Sequence, residues 1–162
     1  MNTIEKRLQE LGLVLPEPVA PVANYVPYVI TGNQVFISGQ VSVTADGALI
    51  TGRLGEDLTV ERGQEAAQAC ALNLIAQMKA ACGGDLTKVK RVVKLGGFVC
   101  SNFASSTSES TALNIPKIIN GCSDLMVNVF GEAGKHARFA VGAPALPLDV
   151  AVEIDCVIEI EN

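Results

Sequence analysis

The residues best suited to chemistry lie near the end of the chain, between Lys135 and Asp155. Arg138 is followed by Glu153, and apolar residues that predict two core strands surround both. An arginine in an apolar strand either reaches the rim of the fold or faces a pocket, where its guanidinium can bind a carboxylate bidentately. If a turn joins the two strands in antiparallel order, Arg138 and Glu153 can serve one cavity. A purely structural ion pair between them fits the spacing equally well.

His136 is the only histidine of the chain. A serine or cysteine nucleophile would need it as the base, yet the sequence has no Gly-x-Ser-x-Gly motif and nothing that selects one cysteine. We therefore expect a structural or interface role for His136. The adjacent "FGEAGKH" lacks the spacing of a phosphate-binding loop, and Gly131–Gly134 instead predicts a helix end and a turn.

The composition predicts one domain that self-associates. The chain has 162 residues, of which 49% are hydrophobic and 18% charged, and this apolar excess favours burial against further copies of the chain. The net charge of −5 argues against a nucleic-acid partner and against an anionic membrane surface. We therefore expect neither partner.

The five cysteines are scattered, without a Cys-x-x-Cys pair. This pattern predicts buried free thiols in a reducing compartment rather than disulfides or a zinc site. The N-terminal sequence lacks the pattern of a signal peptide, and no apolar run is long enough to span a bilayer. We expect a cytoplasmic protein that uses no metal and no cofactor.

The first half of the chain predicts a helix, a hairpin and a longer helix. Residues 1–15 form a helical extension, and a proline-rich connector follows it. Gly32-Asn33 marks a hairpin turn between two β-branched runs. Thr59 can cap a helix over 60–82 that ends at Gly83-Gly84. Its predicted buried stripe consists of Ala67, Ala71, Leu74, Ile75 and Met78.

The second half predicts a strand, a helix and two closing strands. The strand covers 88–100, with its lysines Lys88, Lys90 and Lys94 alternating onto one solvated face. The helix fits 122–134, and the closing strands fall at about 136–142 and 150–160. This order predicts an α+β fold: a single mixed sheet with two helices packed on one face, forming one domain over 1–162. Another subunit is the expected cover of the other face.

Several short motifs share their spacing with one protein family. They are Ala137-Arg138, Leu146-Pro147, Val152-Glu153-Ile154, Ser38-Gly39-Gln40 after the Gly32-Asn33 hairpin, Tyr25 thirteen residues before Ser38, and Asn120. Over residues 22–160 the chain resembles the RidA/YjgF-type reactive-intermediate deaminases, formerly called L-PSP endoribonucleases. In that family the asparagine opens the second helix.

Some positions depart from the family pattern. The usual Gly-Pro-Tyr is Ala23-Asn24-Tyr25, and the usual polar residue and cysteine after the arginine are Phe139 and Ala140. The segments 101–119 and 131–136 are longer than in the short members. These differences indicate a longer-chain subgroup with an altered pocket rim.

The resemblance implies a chorismate-mutase-like fold that assembles as a trimer. It also implies an enzyme that hydrolyses enamine or imine acids of the 2-aminoacrylate type to 2-keto acids and ammonia. It implies a pocket between subunits in which Arg138 binds the carboxylate and Glu153 handles protons through the attacking water. Tyr25, Ser38, Gly39 and Asn120 would contact the substrate.

Two alternatives remain open at this point. One is a non-catalytic trimer that binds or senses small carboxylic acids. The other is an RNA-cleaving translation inhibitor, which the acidic pI of about 4.8 and the lack of an aromatic stripe disfavour.

Overall fold

The structure, a computed structural model, describes residues 3–20, 23–104 and 108–161. The helices and strands follow along them in this order: α1 Thr3–Glu10, β1 Tyr28–Thr31, β2 Gln34–Val41, α2 Val60–Ala81, β3 Val89–Cys100, α3 Ser108–Phe130, β4 Ala137–Ala143 and β5 Val152–Ile160. The strands form one sheet in the order β1-β2-β5-β3-β4. Only β3 and β4 run parallel among these strands. The mixed α+β sheet predicted from the sequence is confirmed.

Helix α2 forms as the sequence predicts. The Thr59 side chain accepts a hydrogen bond from the Arg62 amide at 3.1 Å and so caps the first turn. After Ala81, Gly83 and Gly84 adopt φ angles of +64° and +93°, which a glycine reaches at little cost. The five residues of the predicted stripe are fully buried.

Helix α3 is longer than the sequence predicted. It begins at Ser108 rather than near Cys122, and it includes Pro116 in its interior. A proline lacks the amide hydrogen that a helix interior uses, so it argued against a helix through this segment. Asn120 consequently lies inside α3 and does not open it. The helix ends at Phe130, where Gly131 has a φ of +61° and starts the 3₁₀ turn Gly131–Gly134, which confirms the predicted helix end and turn.

The two closing strands are not neighbours, contrary to the sequence-based expectation. Helix α3 connects β3 to β4 as a crossover, and such a connection places two strands parallel and side by side. Strand β5 pairs antiparallel with both β3 and β2. Strand β3 therefore lies between β4 and β5.

Helices α2 and α3 cover one face of the sheet, as predicted. Alternate residues of β5 from Val152 to Ile160 are buried beneath them. The opposite face, which we call the open face, carries Phe36, Phe139 and Val141, which are 46%, 37% and 42% exposed. This is the face for which the sequence required a cover.

The predicted lysine face is only partly right. Lys90 and Lys94 are exposed on β3, but Lys88 lies in the 3₁₀ turn Leu86–Lys88 before that strand. Register shifts between Val89 and Arg91 and between Val92 and Lys94 interrupt the alternation. The Lys94 amino group lies 5.4 Å from the centre of the Phe139 ring.

Candidate functional site

A cavity of about 330 Å³ brings together four of the predicted site residues: Tyr25, Ser38, Gly39 and Glu153. It opens near the β2–β5 pair, where the register shifts between Ile37 and Gln40. Most of its wall is apolar. The apolar lining includes Val19, Val41, Val43 and Leu148. A small organic molecule with a polar head and an apolar body fits such a lining.

Glu153 is the only acidic residue lining this cavity among the described residues. It lies on β5 opposite Val41 on one side and Phe98 on the other. Burial raises the pKa of the Glu153 carboxyl, and the nearby Asp155 carboxylate raises it further. A raised pKa favours a carboxyl group that has both to accept and to return a proton.

Gly39 makes room for that carboxylate. A Cβ added at Gly39 would lie 2.5 Å from Oε1 of Glu153, which is closer than a carbon and an oxygen can approach without displacement. The close approach of Glu153 thus explains why the middle residue of the Ser38-Gly39-Gln40 motif is a glycine.

Ser38 fastens the segment that carries Tyr25. Its hydroxyl donates to the Val26 carbonyl oxygen at 2.7 Å, and its amide donates to the Pro27 carbonyl oxygen at 2.9 Å. The Tyr25 side chain is 55% exposed beside the cavity. Ser38 therefore sets the position of Tyr25 and itself lines the cavity.

Two polar lining residues escaped the sequence reasoning. Asn73 of α2 is buried and donates to the carbonyl oxygens of Val43 at 2.9 Å and Val41 at 3.3 Å. Gln40 donates to the Ser38 carbonyl oxygen at 2.9 Å. An asparagine between two leucines on a buried helix stripe was the available signal for Asn73. The position of Gln40 within the motif was the signal for the second residue.

Arg138 lies elsewhere, against α3. Its Nη1 donates to Asn120 Oδ1 at 2.8 Å and to Ser123 Oγ at 3.0 Å, and its Nη2 donates to the Pro116 carbonyl oxygen at 3.3 Å. Predicted site residues Arg138 and Asn120 are thus in direct contact. Three of the five guanidinium hydrogens are used, and Nε–H and one Nη2–H have no acceptor among the described residues. A guanidinium can bind a carboxylate bidentately through Nε and one Nη, and this side of Arg138 still has free donors.

Within one chain, Arg138 and Glu153 project from opposite faces of the sheet. Arg138 pairs with Leu95, which is buried under the helices, whereas Glu153 pairs with Phe98, whose ring packs against Phe139 of the open face. Their backbones are separated by two strand spacings, about 10 Å, and by three residues along the strands, about 10 Å more. Both a shared cavity and a direct ion pair within one chain are therefore wrong.

His136 contacts Ser123, the serine that also accepts a hydrogen bond from Arg138. Its Nε2 lies 2.9 Å from Ser123 Oγ, and its Nδ1 lies 2.6 Å from the carbonyl oxygen of Gly134. Ser123 thus links His136 to Arg138. No sequence motif indicated that Ser123 would matter.

All five cysteines are buried as free thiols. Burial raises the pKa of Cys122 to about 12 and also raises the pKa of Cys70, Cys82 and Cys156. Such thiols are poor nucleophiles because only the thiolate reacts readily.

The described residues contain neither a metal-ligand cluster nor a membrane span. Within residues 3–20, 23–104 and 108–161, no three His, Cys, Asp or Glu side chains are grouped so that they could hold a metal ion. In those same ranges, no helix has the length and apolar character required to cross a membrane.

The sequence is similar to those of known proteins along nearly its whole length. Residues 5–160 match the family described as "YjgF/chorismate mutase-like, putative endoribonuclease". Protein TCP17 of Trypanosoma cruzi is 49% identical over 160 residues, covering 98% of this chain and 95% of the relative.

Two crystal structures are similar along the whole chain. A protein of unknown function from Agrobacterium tumefaciens is 45% identical, with a TM-score of 0.86 and coverage of 98% of this chain and 92% of the other. A protein from Shewanella oneidensis described as a "putative endoribonuclease" is 38% identical, with a TM-score of 0.87 and coverage of 98% and 100%. Since the family match extends over nearly the whole sequence, the chain belongs to the YjgF/chorismate-mutase-like family.

Proposed function

We propose that the protein hydrolyses small enamine or imine acids of the 2-aminoacrylate type to 2-keto acids and ammonia. The observation that carries the proposal is the hydrogen bonding of the Arg138 guanidinium. Three of its hydrogen bonds go to α3, while Nε–H and one Nη2–H have no acceptor among the described residues. A guanidinium held in this way is suited to a carboxylate, and carboxylates are what 2-imino and 2-keto acids have in common.

The proposal requires two copies of the chain for each site. In one chain Arg138 and Glu153 lie on opposite faces of the sheet, so one copy would contribute Arg138 and Asn120. A neighbouring copy would contribute the cavity with Glu153, Gly39, Ser38 and Tyr25. The exposed apolar side chains of the open face, Phe36, Phe139 and Val141, support self-association, and we propose a homotrimer.

The chemistry needs neither a metal nor a strong nucleophile, because an iminium carbon is already electrophilic. An enamine first gains a proton from solvent on its terminal carbon and becomes the iminium ion. Glu153 as carboxylate takes a proton from water while the water oxygen bonds to the iminium carbon, giving a neutral carbinolamine. The same carboxyl then gives this proton to nitrogen, and the C–N bond breaks to release ammonia. As the ketone forms, Glu153 takes the hydroxyl proton, which then passes to ammonia or solvent. The raised pKa of Glu153 favours this two-way transfer.

A subunit-mixing experiment tests the proposal directly. Arg138→Ala and Glu153→Gln should each be inactive when ammonia release from freshly generated 2-aminoacrylate is measured. When equal amounts are refolded together, about three quarters of random trimers contain both chains, and each of these has one intact site of three. About a quarter of the wild-type activity should return.

The controls separate the parts of the proposal. Co-refolding of Arg138→Ala with Arg138→Lys should restore nothing, because neither chain supplies the guanidinium fork. Wild-type protein that releases no ammonia would overturn the catalytic proposal. An active wild type without complementation would overturn the shared site.

The second candidate is the activity in the descriptions of the relatives, RNA cleavage. The descriptions of the matched family and of the Shewanella oneidensis structure both contain the words "putative endoribonuclease". The net charge of −5 and the mainly apolar cavity favour a small acid instead. Salt-sensitive RNA cleavage that Arg138→Ala abolishes would reverse this order.

A further inference from the structure

We infer that Ser123 and His136 are positioning residues that hold the Arg138 guanidinium with its carboxylate-binding side free. This inference rests on the proposed role of Arg138. It concerns two residues outside the motifs that the chain shares with its family, and it gives the only histidine of the sequence a function.

The hydrogen bonds of His136 and Ser123 have defined directions. The Gly134 carbonyl oxygen can only accept, and it lies 2.6 Å from His136 Nδ1, so Nδ1 carries the proton. In the neutral ring Nε2 is then an acceptor. It lies 2.9 Å from Ser123 Oγ, so the serine hydroxyl donates to it. The serine hydrogen is thereby directed away from Arg138.

Ser123 and Asn120 hold the Arg138 guanidinium through Nη1. With its hydrogen on His136, Ser123 Oγ presents lone pairs to Arg138, and Nη1 donates to it at 3.0 Å. The other Nη1 hydrogen goes to Asn120 Oδ1 at 2.8 Å. The chain of donors thus runs from Arg138 to Ser123, from Ser123 to His136 and from His136 to Gly134, without a conflict in direction. The side chains of Asn120 and Ser123 occupy both hydrogens of Nη1.

A fixed guanidinium favours the binding of a carboxylate. An arginine side chain has many rotamers, and fixing it costs conformational entropy. Because Nη1 is held on two sides and Nη2 on one, Nε–H and the remaining Nη2–H keep one direction. A ligand carboxylate then binds without first having to order the guanidinium. The backbone supports the geometry, since Gly134 ends the 3₁₀ turn that leads into β4 and a Cβ there would lie against the Met126 backbone.

The test measures binding of a 2-keto acid, pyruvate, by calorimetry, with the melting temperature of each variant. Ser123→Thr and Ser123→Val have nearly the same shape and differ in the hydroxyl. We expect Thr to bind pyruvate within about twofold of wild type and Val to bind it about 5- to 20-fold more weakly. His136→Phe should weaken binding by about 2- to 5-fold, because Ser123 loses the acceptor that orients it. Asn128→Ala, at an exposed position on the same helix, should change nothing.

A double-variant cycle separates positioning from a general structural effect. In the Arg138→Lys background, Ser123→Thr and Ser123→Val should bind pyruvate equally, because the side chain on which Ser123 acts is gone. If the difference between Thr and Val persists there, or is missing in the wild-type background while Arg138→Lys binds weakly, the positioning role is wrong. If Arg138→Lys binds as wild type does, the carboxylate role of Arg138 fails and this inference fails with it.

Discussion

Gly39 and Glu153 are in such close contact that the carboxylate occupies the place of a side chain. A Cβ at position 39 would lie 2.5 Å from Glu153 Oε1 and 3.2 Å from its Cδ. The two residues lie on adjacent strands, β2 and β5, beside the shift in register between Ile37 and Gln40. The position of the carboxylate in the cavity therefore depends on the absence of a side chain at 39.

The first prediction follows from that contact. Gly39→Ala should displace the Glu153 carboxylate and lower kcat/KM by at least about tenfold, since a misplaced acid–base group loses most of its effect. It should lower stability by about 1–3 kcal/mol, which is typical of an overpacked site. In a Glu153→Ala background the same substitution should cost little, because the clashing atoms are gone. Equal costs in both backgrounds, measured by denaturant unfolding, would contradict the steric explanation.

The raised pKa of Glu153 predicts that the difference in stability between wild type and Glu153→Gln depends on pH. Its carboxyl group holds a proton more firmly in the folded protein than in the unfolded chain, because burial and Asp155 raise its pKa. The folded state therefore binds more protons between the ordinary and the raised pKa, and wild-type stability falls as the pH rises through that window. Glu153→Gln removes this contribution.

Melting curves of ligand-free protein test this sign. The melting temperature of Glu153→Gln, relative to wild type, should be higher at pH 7 than at pH 4. Asp155→Asn removes the second cause of the shift and should reduce the difference between the two pH values. A Glu153→Gln variant that instead gains stability relative to wild type on acidification would mean that folding lowers the pKa of Glu153.

The buried thiols predict resistance to alkylation. None of the five cysteines lies on the surface, and burial raises the pKa of Cys70, Cys82, Cys122 and Cys156. Iodoacetamide under native conditions should leave ammonia release largely intact, whereas all five thiols should react in denaturant. Rapid inactivation that substrate prevents would instead identify a reactive thiol at the site.

Leu148 predicts a gain in stability on substitution. It lines the cavity with a φ of +57° and is 67% exposed, so its side chain contributes little burial while its backbone is left-handed. Leu148→Gly should raise stability by about 0.5–1 kcal/mol. The relief of backbone strain stabilises the variant, and the larger entropy that glycine loses on folding offsets part of this gain. Leu146→Gly in the same loop is the control, because Leu146 has a φ of −128° and glycine there should destabilise. A loss of stability at both positions would mean that the left-handed backbone is not strained.

The open face predicts the oligomeric state. Light scattering should give about 51 kDa, three times the chain mass of 16.9 kDa. Phe36→Asp should dissociate the assembly, because it puts a charge at a buried apolar interface. Leu113→Asp is the matched control, since Leu113 is 62% exposed on α3, away from the sheet. A monomeric wild type, or dissociation by Leu113→Asp instead of Phe36→Asp, would contradict this interface.

Local patterns in the sequence predicted much of the fold. Thr59, the apolar stripe of α2 and Gly83-Gly84 defined that helix, because capping, periodicity and a left-handed end depend on residues close in the chain. The sequence underestimated α3, since Pro116 has a strong local preference against a helix interior that the packing of Ile115, Ile118 and Ile119 in the core overrides. The family resemblance predicted Tyr25, Ser38, Gly39 and Glu153 as site residues, and the structure places these four around one cavity.

The relation between Arg138 and Glu153 was decided only by tertiary structure. The residue types and their setting in apolar strands marked both as candidates, and those are properties of the sequence. Which face each side chain takes depends on strand order and register, and a change of one residue in register reverses the face. The crossover through α3 inserts β3 between β4 and β5, so Arg138 meets Asn120 and Ser123 while Glu153 faces the cavity. Such pairings join residues far apart in the chain, and no local pattern specifies them.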